Sequence, residues 1–313
     1  MLRIGFVLPR HFQMMSLAAL SAFELANVSA GETLYDIHLL SETGGPIPSS
    51  LGMTVETRAF SDESFDTLLV GGLLKPEPAS AQLIDFLRRA QGGARRMAAI
   101  CTGAFIFAEA GLLDGRRATT HWAFARDLKV RFPKVQVEED RIFIIDGPVW
   151  TSAGMSAGID LALGMIEKDF GADLARAVAQ KLVVYHRRAG GQSQHSALLE
   201  MDAKSDRIQN ALAYARRNLR KALSVEELAE VAHLSPRQFS RAFRAETGQS
   251  PAKAVEHLRL EAARLMMEQS RHPIDVVATE TGFADRERMR RAFLRAFGQP
   301  PQAIRRNAVA EMI

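Results

Sequence analysis

The sequence predicts two domains of different class: an α/β domain built on a mostly parallel sheet covered on both faces, followed by an all-α domain with two helix-turn-helix motifs. Three observations carry this. A chain of 313 residues has the length of about two domains. From Met1 to Phe170, apolar strand-like runs alternate with helix-like runs, as crossover helices between parallel strands require. "RAFRAETGQSP" (Arg241–Pro251) recurs as "RAFLRAFGQPP" (Arg291–Pro301), identical at six of eleven positions, which marks two copies of one supersecondary unit.

Taken in order, "LRIGFVL" reads as a strand, Phe12 to Ser29 as a helix and "LYDIHLL" as a strand. "TLLVGG" is a strand ending in two glycines, Ala79 to Ala90 is an amphipathic helix, and "MAAI" is a strand that runs into Cys101. "ATTHW" leads into a helix reaching Arg131, "IFIID" is a strand, and "WTSAGMSAGIDLALGMIE" is a strand, a turn and a long helix. Ligands of such sheets bind beyond the carboxyl ends of the strands, where Gly71, Gly72, Cys101 and Thr151 to Ala153 fall. Trp122 and Trp150 read as core sooner than as a cage, although an aromatic face near the pocket would suit a quaternary ammonium ligand. "RRAGGQSQHS" (Arg187–Ser196) has the glycine and serine content of a linker, so the expected division is 1–190, a linker at 191–205, and 206–313.

In the first repeat copy, Ser224 and Glu227 have capping-box spacing ahead of a helix from Val225 to Val231. A turn at Ala232–Leu234 follows. Ser235, Pro236 and Gln238 then open a second helix that Gly248 stops. In the second copy Ile274–Thr281 is the first helix, Gly282 the turn, Asp285 the cap of the next helix and Gly298 its end. Two short helices joined by a tight turn make a helix-turn-helix. Phe239, Ala242 and Phe243 form an apolar stripe, while Arg237, Arg241 and Arg244 lie on another face; Met289, Ala292 and Phe293 face inward, with Arg286, Arg290 and Arg291 outward. Such arginines suit guanine edges and phosphates. Between the copies, Ser250–Ser270 reads as one helix of ~30 Å, close to the ~34 Å between successive major grooves on one face of DNA.

Charge divides the chain the same way. Met1–Gly190 holds 20 Lys+Arg against 21 Asp+Glu, whereas Gly191–Ile313 holds 20 against 15. The basic half favours polyanionic partners. No apolar run reaches the ~18 residues of a membrane span, Met1–Arg10 reads as a strand rather than a signal peptide, and one cysteine leaves no disulfide framework or cysteine-rich zinc site. The expectation is a cytoplasmic protein with no membrane partner, no metal and no cofactor.

The module from about Asp206 to Arg306 resembles the DNA-binding domain of the AraC/XylS family of transcriptional regulators, and "GFADRERMRRAFLRAFGQPPQAIR" matches that family's signature. The resemblance implies base-edge contacts near Arg237, Ser240 and Arg241 in the first reader and near Arg286, Arg290 and Arg291 in the second, on double-stranded DNA. Met1–Phe170 resembles the PfpI-type branch of the glutamine-amidotransferase-like fold, through "LLVGG", "AAICTGAF", "ATTHW" and "TSAGMSAGIDLALGMIE". This implies a flavodoxin-like parallel-sheet sandwich with Cys101 on its nucleophile elbow. Enzymes of that branch also carry an acidic residue near the cysteine, and by spacing that position falls at Ser16.

A helix N-terminus favours thiolate, and His121 could accept its proton; without the acid, the usual catalytic arrangement is incomplete. Ser16, Gly72, Cys101, Thr102 and His121 are therefore candidate ligand-binding residues with no catalytic role. The combined resemblance implies an effector-responsive activator of a catabolic operon for amino acids or quaternary amines, a homodimer acting with RNA polymerase. The competing reading is a cysteine-dependent hydrolase or hydratase with a DNA-binding tail.

Overall fold

The computed structural model describes residues 1–184, 188, 190, 194, 203, 205–269, 272–297 and 299–312. Most of the expected linker, 191–205, and the helix stop at Gly298 lie outside the described residues. The chain divides into two compact units, Met1–Gln194 and His195–Ala310.

The first unit runs β1 (Leu2–Val7), a 3-10 turn (Met14–Leu17), α1 (Ala18–Ala30), β2 (Tyr35–Ser41), β3 (Thr43–Pro48), β4 (Thr54–Ala59), β5 (Thr67–Val70), α2 (Ala81–Gln91), β6 (Arg96–Ile100) and α3 (Gly103–Glu109). It continues through β7 (Arg117–Ala118), α4 (Trp122–Arg131), β8 (Gln136–Val137), β9 (Phe143–Asp146), β10 (Val149–Ser152), α5 (Ala157–Phe170) and α6 (Ala172–Lys181). Among the described residues the main sheet has eight strands in the order β3-β4-β2-β1-β5-β6-β10-β9. Its centre is parallel, and only the edge strands β3 and β9 pair antiparallel.

The two faces follow from strand alternation. Ile4, Phe6, Leu69, Ala98 and Ile100 point into one core, shared with Ala19, Phe23, Leu161 and Val178 of α1, α5 and α6. Val7, Leu68, Val70, Met97 and Ala99 point into the other, shared with Leu83, Phe86, Phe105 and Leu128 of α2, α3 and α4. Burial on both faces explains the unbroken apolar runs of β5 and β6.

Three sequence expectations need correction. The helix expected from Phe12 begins as the 3-10 turn at Met14, because Phe12 bridges Ser49 and Leu73 and the Gln13 amide donates to the Gly72 carbonyl at 2.8 Å. The sequence reading lacks β3 and β4, the outermost strand "TGGPIP" and its neighbour "TVETRA", which have little to bury. Trp122, read as core, is 54% exposed, whereas Trp150 is buried beneath the Arg96 guanidinium, 4.6 Å from its ring.

The second unit contains α7 (Asp206–Arg217), α8 (Val225–Val231), α9 (Pro236–Thr247), α10 (Pro251–Gln269), α11 (Ile274–Glu280), α12 (Arg286–Phe297) and α13 (Pro301–Met312). It holds two small cores, one per repeat copy. Phe239 and Phe243 centre the first, and Met289, Ala292 and Phe293 the second. The linking helix α10 serves both, through Ala254, Val255 and Leu258 in its first half and Leu260, Ala263 and Met267 in its second. No helix among the described residues is long and apolar enough to cross a membrane.

Candidate effector site and DNA-reading helices

Cys101 stands between β6 and α3 with φ 57°, a left-handed conformation that costs a non-glycine residue. Its neighbours are shaped around it. A Cβ added to Gly154 would lie 2.6 Å from Cys101 Sγ, and one added to Gly72 would lie 2.8 Å from Cys101 Cβ, so both positions admit only glycine. Thr102 Oγ1 donates to the Leu73 carbonyl at 2.9 Å and accepts from the Leu73 amide at 2.6 Å, locking the β5 loop to the elbow. Ser16 Oγ accepts from the Gly72 amide at 3.0 Å. Ser16, Gly72, Cys101 and Thr102 thus meet at the carboxyl ends of β5 and β6, and Glu24, the nearest carboxylate along α1 from Ser16, is exposed.

His121 joins this group through its neighbour. Thr120 Oγ1 donates to the Cys101 carbonyl at 2.8 Å, and His121 is the N-cap of α4, its Nδ1 accepting from the Ala123 amide at 3.3 Å. Its ring lies beside Trp122 and Phe124, with centroids 5.5 and 5.9 Å away. At Cys101 burial opposes the thiolate that a helix N-terminus favours. Burial pushes the thiol up to about 11, against a smaller opposing pull from the Thr102 backbone; α3 is only seven residues long, and desolvation outweighs its dipole.

In the second unit the expected caps are present. Ser224 Oγ accepts from the Glu227 amide at 3.2 Å, Ser235 and Gln238 form a full capping box, and Asp285 Oδ1 accepts from the Arg288 amide at 2.7 Å. On α9, Arg237, Arg241 and Arg244 are exposed and Ser240 half-buried, opposite Phe239 and Phe243. On α12, Arg286, Arg290 and Arg291 are exposed, but they are not equivalent. Arg290 makes a two-pronged pair with Glu287, both bonds 2.9 Å. Arg291 instead shares a cleft of about 420 Å³ with Arg259, Arg288, Arg295 and Glu256.

Sequence reasoning missed Arg288 and Arg259. The first was readable, since it sits three residues before Arg291 and so on the same side of the helix. The second was not, because its guanidinium reaches the carbonyls of Leu219, Lys221 and Ala222 at 3.2, 2.5 and 3.3 Å. Burial, with the Arg288 charge beside it, pulls that guanidinium below its usual range.

A helix-turn-helix domain family matches residues 228–307, and the DJ-1/PfpI family matches residues 15–168. Over 312 residues the chain is 33% identical to the HTH-type transcriptional regulator GlxA of Rhizobium meliloti, covering 98% of this chain and 96% of that one. The chain belongs to the AraC-type transcriptional regulators that carry a DJ-1/PfpI-type domain. The regulator is likewise 30% identical over 305 residues to the HTH-type transcriptional regulator GbdR of Pseudomonas aeruginosa, covering 96% of this chain and 83% of that one. It is also 34% identical over 185 residues to the isonitrile hydratase of Pseudomonas putida, covering 58% of this chain and 78% of that enzyme.

Proposed function

We propose that the regulator's first domain, residues 1–190, senses a small molecule and does not turn it over, and that Ser16, Gly72, Cys101, Thr102 and His121 form the floor and one wall of the effector site. The observation that carries this reading is the setting of Cys101: it is 4% exposed, burial pushes its thiol up to about 11, and Ser16, the position at which the resemblance implies an acid, is bonded to the Gly72 amide. Effectors of the amino-acid or quaternary-amine class suit the exposed aromatic face of Trp122 beside His121 and Phe124. The output is activation of a catabolic operon by a cytoplasmic homodimer that works with RNA polymerase. Residues 191–205 join the sensor to a DNA-binding domain, 206–313.

Arg237, Ser240, Arg241 and Arg244 from α9, with Arg286, Arg290 and Arg291 from α12, are assigned to DNA contact. The effector must bind one arrangement of the regulator more tightly than another, since equal affinity shifts nothing. A thermal-shift screen of the full chain against amino acids and quaternary amines, with mass spectrometry of each mixture, tests the reading. Saturable stabilisation with the compound unchanged supports a sensor. The second reading, a cysteine-dependent hydratase, is favoured by the likeness to isonitrile hydratase; product that disappears in Cys101→Ala would establish it.

A further inference from the structure

The cleft between α10 and α12 carries more positive charge than its own residues neutralise. Four guanidiniums line it, those of Arg259, Arg288, Arg291 and Arg295, against the one carboxylate of Glu256, and its volume is about 420 Å³, inside the ~300–1,000 Å³ range of small-molecule sites. The acidic residues at the start of α12 bond elsewhere. Asp285 Oδ1 accepts from the Arg288 amide at 2.7 Å, and Glu287 is held by both prongs of Arg290. Glu256 is bonded to Arg295 at 2.9 Å.

That leaves three guanidiniums facing no carboxylate. Arg259 directs its donors at the carbonyls of Leu219, Lys221 and Ala222, which fixes its position without cancelling its charge. The side chains of Arg288 and Arg291 make no hydrogen bond or ion pair with a described residue. Arg288 also stands near enough to Arg259 for its charge to add to burial in pulling that guanidinium below its usual range. Like charges held together beside a half-buried group raise the energy of the cleft. An anion entering it relieves the repulsion and gains charge-assisted hydrogen bonds.

The arrangement suits a phosphoryl group better than a carboxylate. A carboxylate brings one charge and is matched by one guanidinium fork, whereas Arg288 and Arg291, three residues apart on one side of α12, offer two forks to the several oxygens of a single tetrahedral group. We propose that the cleft between α10 and α12 is a phosphate-binding site in which Arg288 and Arg291 grip the phosphoryl oxygens, the fixed charge of Arg259 reinforces them, and Glu256 limits the affinity. Two sources supply such a group, the backbone of DNA and a free phosphorylated metabolite. Arg291 is common to this site and to the DNA contacts assigned above, so the test separates the two.

Inorganic diphosphate is the probe, titrated calorimetrically into the full chain at fixed ionic strength. We expect one saturable site per chain, weakened at least about tenfold in Arg288→Gln and in Arg291→Gln, since each loses a charge-assisted pair. Glu256→Gln removes the opposing charge and frees Arg295, and should bind about threefold more tightly, a gain that no folding defect produces. The same proteins are then titrated with a mixed-sequence duplex of about 30 base pairs over a range of salt.

A salt slope lower by about 1 in both arginine variants supports the site with the DNA backbone as its source. Diphosphate binding that follows the expected order, with parental salt slopes, supports it with a free phosphorylated ligand as its source. Parental slopes together with diphosphate binding that is absent, or equal in the parent and all three variants, would overturn the site. Failure of the DNA-contact assignment is seen separately, as parental duplex affinity in Arg241→Ala, which alters the first reader and lies outside the cleft.

Discussion

Ser16 Oγ accepts a 3.0 Å hydrogen bond from the amide of Gly72, so this side chain holds the backbone turn that follows β5. Both residues are buried, and Ser16→Ala leaves the Gly72 N–H without its acceptor. The expected cost is about 1–3 kcal/mol, read as a lower urea midpoint with unchanged m. An unaltered midpoint would mean that the amide finds another partner.

Cys101 should be a slow thiol. With its pKa pushed up to about 11 by burial, its thiolate fraction at neutral pH is at least about a hundredfold below that of an ordinary cysteine. Alkylation followed from pH 7 to 10.5 should still be rising at the upper end, with no plateau between pH 7 and 9. A plateau in that window would restore a reactive nucleophile.

The arginines of α12 should separate by partner. Arg290 is paired with Glu287, while Arg288 and Arg291 share the cleft. We expect Arg291→Ala and Arg288→Ala each to weaken a specific site by about 1–3 kcal/mol. Arg290→Ala should weaken it less, and Glu287→Gln should strengthen binding to random duplex by freeing a cation. Fluorescence anisotropy at several salt concentrations reads all four; equal losses on specific and random DNA would make these arginines phosphate contacts only.

Gly282 has φ +80°, and a Cβ there would lie 1.8 Å from the Leu219 carbonyl oxygen. Gly282→Ala should destabilise the second unit by more than about 1 kcal/mol and abolish DNA binding, while Cys101 alkylation keeps its parental rate. Circular dichroism melting with gel-shift titration checks this.

Acid should weaken the first unit through Asp169. Burial raises its pKa, but Arg96 and Arg95, bonded to its carboxylate at 2.7 and 2.8 Å, hold it below the ordinary carboxylate range. A depressed folded-state pKa gives stability that is complete above the unfolded value of about 4 and is lost as pH falls through the folded value. Asp169→Asn should therefore be less stable than the parent at pH 6, and the difference should shrink on titration below pH ~4.

What was legible in the sequence follows from the range of the interactions involved. The caps at Ser224, Ser235 and Asp285 and the turn at Gly282 depend on residues a few positions apart, and repetition made them unambiguous. The central strands β5 and β6 announce themselves because both faces are buried. β3 and β4 do not, since these polar and glycine-rich strands carry no hydrophobic period. At the candidate site, proximity of Cys101, Gly72 and Thr102 was readable from the strand ends. The burial of the thiol was not, since it is a property of the packed domain. Arg259 was invisible for a related reason: it is defined by backbone groups tens of residues away in the chain, and its own neighbours give no sign of it.

The unbroken helix α10, nineteen residues from Pro251 to Gln269, contributes to the cores of both repeat copies and is tied by Arg259 to the segment that precedes the first. A spacer fixed in this way makes promoter recognition a matter of phase. Inserting about five base pairs between the two half-sites carries one of them to the opposite face of the duplex, and inserting about ten carries it a full turn out of reach. Two readers engaging one duplex would then distinguish promoters by the interval between two short words as much as by the letters in them.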